Sequence, residues 1–200
     1  MASVPRRRLS KDARRAELMR AGEAVFAERA FEDVSIDDIA AAAGISKNLL
    51  YHYFAGKREL FLSVIAESTE RMLEATEPDM SLEPIERLGA SLGAHLDYAS
   101  AHAKGYIALQ RGSEKDADVA AILRAAQDRV VARTLAALPF PDGTPPEVEL
   151  ALRGWLGMVD GLTVYWLEQT NPLPKERVRE LLTELFVAVL TAAATVGARP

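Results

Sequence analysis

Ser35-Ile-Asp-Asp-Ile-Ala-Ala-Ala-Ala-Gly44-Ile-Ser46-Lys-Asn-Leu-Leu-Tyr-His-Tyr-Phe54-Ala-Gly-Lys57 is the stretch from which the rest of the chain is best read. Ser35 with an acid three residues on, Asp38, is a relative of the capping box and opens a short helix that runs to Ala43. Gly44 stops that helix, and Ser46 caps a second one that ends near Ala55-Gly56. Two short helices joined by a tight glycine-containing turn form a helix-turn-helix, whose second helix lies in the DNA major groove. Ile39, Ala42, Ile45, Leu50 and Phe54 are positioned to lock the pair together, which leaves Lys47, Asn48, His52 and Lys57 outside. Asn matches an adenine edge, Lys reaches guanine O6 and N7, and Lys57 at a helix start adds its charge to free backbone N–H groups to hold a phosphate. Tyr51 and Tyr53 carry hydroxyls suited to phosphate oxygens, with burial in the local core as the competing reading, and the stronger one for Tyr53.

Outward from this element every segment reads as helix, because β-branched residues never cluster in period-two alternation. A first helix spans about Lys11 to Arg29, with Leu18, Met19, Gly22, Val25 and Phe26 on one face. A fourth follows from Lys57 to about Thr76, then stretches near Leu82–Ala103, Lys104–Gly112, Asp116–Leu138 and Pro146–Gln169. The last runs from about Lys175 to Thr195 with Val178, Leu181, Leu182, Leu185, Val189 and Leu190 as its apolar stripe. The expected architecture is all-α: a helix-turn-helix DNA-binding domain over 1–56, with 1–10 as a disordered basic arm, and a helical ligand-binding and dimerisation domain over 57–200.

Charge is distributed to match. The 200 residues carry a net charge of −5, yet residues 1–20 hold seven Lys or Arg against two acids. A basic end on an acidic body is expected where only that end meets a polyanion, although an unpartnered basic tail has the same composition. There is no Cys, which excludes disulfides and thiolate metal sites. No apolar run follows the arginines, so a secretory leader is not expected, and the Phe186–Ala198 stretch is too short and too rich in Thr and Ala to span a bilayer. These features point to a cytoplasmic protein without membrane attachment or cofactor. G-x-S-x-G, a phosphate-binding glycine loop and H-E-x-x-H are all missing, which argues against an enzyme.

The stretch Leu18–Phe31, then Val34–Phe54 and Gly56-Lys-Arg-Glu-Leu60, closely resembles the N-terminal domain of TetR-family (TetR/AcrR type) regulators. The resemblance implies an all-helical homodimer that reads a palindromic operator and whose C-terminal domain binds a small-molecule inducer. It places Ser35, Tyr51 and Lys57 at positions that hold phosphates, and Lys47, Asn48 and His52 near base edges. Three departures stand out. Asn48 occupies a frequent Gly position, Gly22 replaces a usual Ala, and Ala30 stands where Gly ends the first helix. At Ala30, either the turn is built differently or Ala adopts positive φ at a cost of roughly 1 kcal/mol.

In the second half, His95, Tyr98, Tyr106, Leu109, Trp155, Met158, Val159, Leu162, Tyr165 and Trp166 give three helices unusual aromatic and Met weight. Such side chains line ligand pockets and also simply fill cores. The expected effector is large and apolar, a lipid-like acyl compound or an aromatic molecule. Gly154, Gly157 and Gly161 let a second helix approach closely, and with Leu182, Leu185, Phe186 and Val189 they form the expected dimer face; packing within the chain is the alternative. His95, Asp97 and His102 offer at most a weak metal site, lacking a third ligand at recognisable spacing. Two rivals to an inducible repressor remain: a constitutive DNA-binding regulator, and a carrier or enzyme that merely retains a helix-turn-helix.

Overall fold

The computed structural model describes residues 10–113, 115–140 and 143–197, and the chain divides into two compact units between Glu67 and Ser68. Of the basic arm expected over 1–10, all but Ser10 lies outside the described residues. No strand occurs among those described.

The first unit contains α1 (Lys11–Glu28), a 3₁₀ turn (Phe31–Asp33), α2 (Ile36–Ala42), α3 (Lys47–Tyr53) and the start of α4 (Lys57–Ala75). Each short helix has its own polar cap. The Ser10 hydroxyl accepts from Ala13 N, Ser35 from Asp38 N and Ser46 from Leu49 N, each satisfying one otherwise orphaned amide. Asp38 returns the favour by accepting from Ser35 N at 2.8 Å, a complete capping box. Gly44, at φ 64°, ends α2 in the left-handed region and lets Ile45 N reach back to Ala40 O at 3.0 Å, a Schellman-type stop.

Leu18, Met19, Val34, Ile36, Ile39, Ala40, Leu50 and Phe54 close one core with Leu60 and Val64 of α4. The first core therefore extends past Gly56. Within the alanine run it is Ala40 that is buried, whereas Ala42, expected to lock the two short helices, is exposed. The turn after α1 needs no positive φ. Ala30 sits at φ −59°, ψ 150°, and the 3₁₀ turn that follows takes the place of a glycine stop. Phe31 in that turn packs on Phe26 and Phe61, with ring centroids 6.3 and 4.7 Å away. Gly22 is buried where a Cβ would stand 3.3 Å from Leu60 Cδ2, so its small size sets how closely α1 approaches α4.

The second unit holds the end of α4 with α5 (Pro84–Ala101), α6 (Ala103–Ser113), α7 (Ala117–Ala136), α8 (Pro146–Leu167) and α9 (Lys175–Gly197). α5 starts two residues later than the apolar pattern suggests because Pro84 takes the first helical position, where a missing N–H costs nothing. α9 packs along both α8 and α5. Leu92, Leu96, Val131, Leu152, Trp155, Val159, Val178 and Leu182 form its core. Trp155 fixes the α8–α9 pairing by donating Nε1–H to Leu182 O at 3.2 Å and by setting its ring edge-on to Phe186. Tyr98 ties α5 to α4, donating to Ser68 O at 2.9 Å.

Candidate functional site

α3 is two-faced, and its burial follows from its spacing. Leu50 and Phe54, four apart, are buried in the first core, while Lys47, Asn48, Tyr51 and His52 are exposed. The exposed set combines a cation, an amide, a phenol and an imidazole on one short helix that begins at a capped N-terminus. Tyr51 is 47% exposed, whereas Tyr53 packs against the core, as the competing reading of that residue has it. His52 stands edge-on to Tyr53, ring centroids 5.4 Å apart.

Two lysines are held by neighbours. Lys47 Nζ donates to Asp37 Oδ2 at 2.8 Å, an exposed ion pair between α3 and α2 that raises the lysine's pKa. Lys57 Nζ donates to Phe31 O at 2.7 Å and lies 4.1 Å from the Phe31 ring centroid, a cation–π contact. An ammonium has three donors, so each lysine keeps donors for a phosphate or base edge. Asp37 was not foreseen; its place opposite Lys47 depends on the angle between the two short helices, which spacing alone does not give. Ser35 Oγ is engaged twice with Asp38, accepting its amide and donating to its carboxylate at 2.7 Å. That carboxylate also meets Arg29, and the Ser35 bonds hold its pKa down to about 2.

The ten residues grouped as ligand-binding fall into different places. Trp155 and Val159 belong to the core, Met158, Leu162 and Trp166 pack against it, and Leu109 is half-buried on α6. Trp166 donates Nε1–H to Leu173 O at 2.7 Å and so pins the α8–α9 loop. Tyr98 stacks on His102, centroids 4.3 Å apart. Tyr165 is 65% exposed on the outer side of α8, so it lines no interior space. Only His95 and Tyr106 come together as polar groups, with Nε2 and Oη 3.4 Å apart. His102 instead sets Nδ1 2.9 Å from Tyr98 O, so the two histidines do not converge on one point, and no group of three or more metal-ligating side chains occurs among the described residues.

The expected dimer face also divides. Gly154, Gly157 and Gly161 are exposed, with open space where each Cβ would stand, and share one stripe of α8 with Leu150 and Tyr165. Leu182 is fully buried within its own protomer, and Leu185, Phe186 and Val189 pack against the same core. On α9 the exposed residues include Leu181, Val187, Ala188 and Thr191 together with Glu180 and Glu184, because a step of about 100° per residue turns each position away from its neighbour. α9 is long and apolar enough, by length and composition, to cross a membrane, but little of that apolar stretch is buried in the protomer.

Comparison with known proteins reaches the same two regions. Residues 18–64 match the model of bacterial regulatory proteins of the tetR family, and residues 84–189 match that of the tetracyclin repressor-like C-terminal domain. The transcriptional activator FasR of Mycolicibacterium smegmatis is 25% identical over 177 residues, 86% of this chain and 81% of the relative. The repressor KstR2 of Mycobacterium tuberculosis is 34% identical over 79 residues, 38% of this chain and 40% of the relative. A crystal structure of a tetR-family regulator from Streptomyces coelicolor superposes with a TM-score of 0.83 at 26% identity, covering 94% of this chain and 85% of the other. With the outward face of α3, the capped turn before it and both halves of the chain matched, this protein is a DNA-binding transcriptional regulator of the TetR family, and not an enzyme.

Proposed function

We propose that the protein is a homodimeric repressor that occupies a palindromic operator and leaves it when the second unit binds a small, largely apolar effector. The observation that carries the DNA part is the exposure of Lys47, Asn48, Tyr51 and His52 opposite buried Leu50 and Phe54. In this reading Asn48, His52 and Lys47 face base edges, while Ser35, Tyr51, Tyr53 and Lys57 contribute at the phosphates. Tyr53 packs against the first core, so its share is the edge-on contact that orients His52.

Dimerisation is supported by the open Gly154, Gly157 and Gly161 stripe on α8 and by exposed Leu181, Val187 and Val196 on α9. Four helices meeting there form an isologous interface, the usual solution for a two-fold dimer. Two recognition helices reach successive major grooves only when about 34–36 Å apart. An effector that prefers another pose of the second unit changes that spacing through α4, and by linkage DNA weakens effector binding by the same factor. FasR is an activator and KstR2 a repressor, so the relatives include both signs of regulation; release on effector binding is the mode proposed for this chain.

The test is retention of fragmented genomic DNA on immobilised protein at near-physiological salt, wild type against Asn48→Ala. Wild type is expected to enrich a small set of fragments and Asn48→Ala to lose that selectivity at unchanged thermal stability. Equal enrichment by both removes α3 from base readout.

A further inference from the structure

Helices α1, α2 and α3 each open on a serine whose side chain accepts a first-turn amide. α4 opens differently. Its cap is Gly56, whose carbonyl accepts from Leu60 N at 3.2 Å and which has no side chain to satisfy the first amides. The acid of that first turn, Glu59, reaches back out of the helix to Ala55 N at 2.5 Å. The group with charge to offer a phosphate at this end is therefore Lys57.

The Lys57 ammonium is already held in place. It crosses 26 residues of sequence to the 3₁₀ turn, donating to Phe31 O at 2.7 Å while lying 4.1 Å from the Phe31 ring centroid. One residue supplies both a carbonyl dipole and the negative face of a ring. Neither partner is an anion, so the positive charge is left whole. Lys47 differs, because its partner is the Asp37 carboxylate. Lys57 also keeps N–H groups beyond the one given to Phe31.

Phe31 is itself fixed on several sides. Its ring stacks on Phe26 at 6.3 Å and tilts against Phe61 at 4.7 Å, while Phe26 and Phe61 meet edge to face at 5.0 Å. Phe61 lies one turn along α4 from Lys57, so the same helix face carries the lysine and the ring that locates its holder. The Phe31 carbonyl is set by the turn, where it also accepts from Val34 N at 3.4 Å. A free lysine loses rotamer freedom when it grips a phosphate; here part of that ordering is completed on folding, before DNA arrives.

We infer that Phe31 is a positioning residue for DNA binding: its carbonyl and ring face hold the Lys57 ammonium at the open start of α4, where the remaining N–H groups meet a backbone phosphate. The inference rests on the reading of Lys57 as a phosphate contact. Phe31 touches no DNA and acts through the lysine alone.

The test uses the full chain and a fluorescein-labelled duplex of mixed sequence, because phosphate contacts are blind to sequence. Affinity is measured by anisotropy across a salt series, and folding is checked by thermal melts. Lys57→Gln is expected to weaken binding and to make the log–log salt slope shallower by about one unit per protomer. Phe31→Leu, which keeps the carbonyl and loses the ring face, is expected to weaken binding about two- to fivefold per protomer, with Phe31→Tyr restoring it. Trifluorophenylalanine at position 31, nearly the same shape with a depleted ring face, is expected to act like Leu and keeps the test open should Phe31→Leu fold poorly. In the Lys57→Gln background none of these changes should weaken binding further. An equal loss in that background shows that Phe31 supports only the fold and overturns the inference. So does tighter binding on loss of the ring face, which means that Phe31 restrains the lysine. If Lys57→Gln weakens binding and the ring changes do nothing, the phosphate contact stands and the positioning role falls. If Lys57→Gln leaves affinity and slope unchanged, the phosphate reading falls and the positioning role with it.

Discussion

Replacing Gly154, Gly157 and Gly161 together by Ala probes the proposed dimer face through a change of sign. In the isolated protomer each Cβ would enter open space. Each substitution there removes a helix-interior glycine, worth about 1 kcal/mol, so the three together would stabilise a solvated α8 by about 3 kcal/mol. For a chain of this size that corresponds to a rise of roughly 6–12 °C in Tm. If a partner helix packs on the stripe, three methyl groups hold the backbones apart, and overpacking of about 2 kcal/mol weakens dimerisation roughly 30-fold. Sedimentation equilibrium gives the dimer constant, and thermal melts over a range of protein concentrations separate protomer from dimer stability. The expected result is a weaker dimer with a Tm that depends more steeply on concentration. A concentration-independent rise in Tm with an unchanged dimer constant would refute the assignment of this face.

Gly22 is expected to respond differently, because its added Cβ would stand 3.3 Å from fully buried Leu60. Gly22→Ala should cost about 1 kcal/mol net despite its better helix propensity, and a raised Tm contradicts this. Asp37→Asn frees Lys47 from its ion pair and removes a negative charge beside the recognition helix, so operator binding should tighten; an unchanged operator affinity shows that Lys47 does not reach a base edge. His95 carries a depressed pKa of about 4, so its contribution to stability is complete above its unfolded value near 6.5 and is lost as pH falls through about 4. Asp160, with a raised pKa, contributes with opposite sign, its stabilisation being lost as pH rises through its folded value. His95→Gln should therefore flatten the loss of Tm between pH 6.5 and 4, and parallel melting curves for the two proteins would show the imidazole is not the cause.

What the sequence made legible was local. Ser35, Gly44 and Ser46 act within four residues of themselves, so the helix-turn-helix and its capping box could be read directly from them. The alanine run Ala40–Ala43 has no apolar periodicity, which is why its buried member was misplaced by two positions. In the second unit, core and pocket draw on the same residue types, and only packing separates Trp155, in the core, from Tyr165, on the outside. Adjacent Leu181 and Leu182 are alike in sequence and opposite in burial. The meeting of Phe31 with Lys57 left no signal, because the two stand 26 positions apart and depend on how the turn after α1 packs on α4.

Selection of bound duplexes from a random-sequence pool, at near-physiological salt and with sequencing of the retained fraction, tests the central claim most directly. The account predicts enrichment of an inverted repeat whose half-sites are separated by about one helical turn. Retention that is sequence-blind and collapses with added salt would contradict it, reducing α3 to a charged surface with no operator to read.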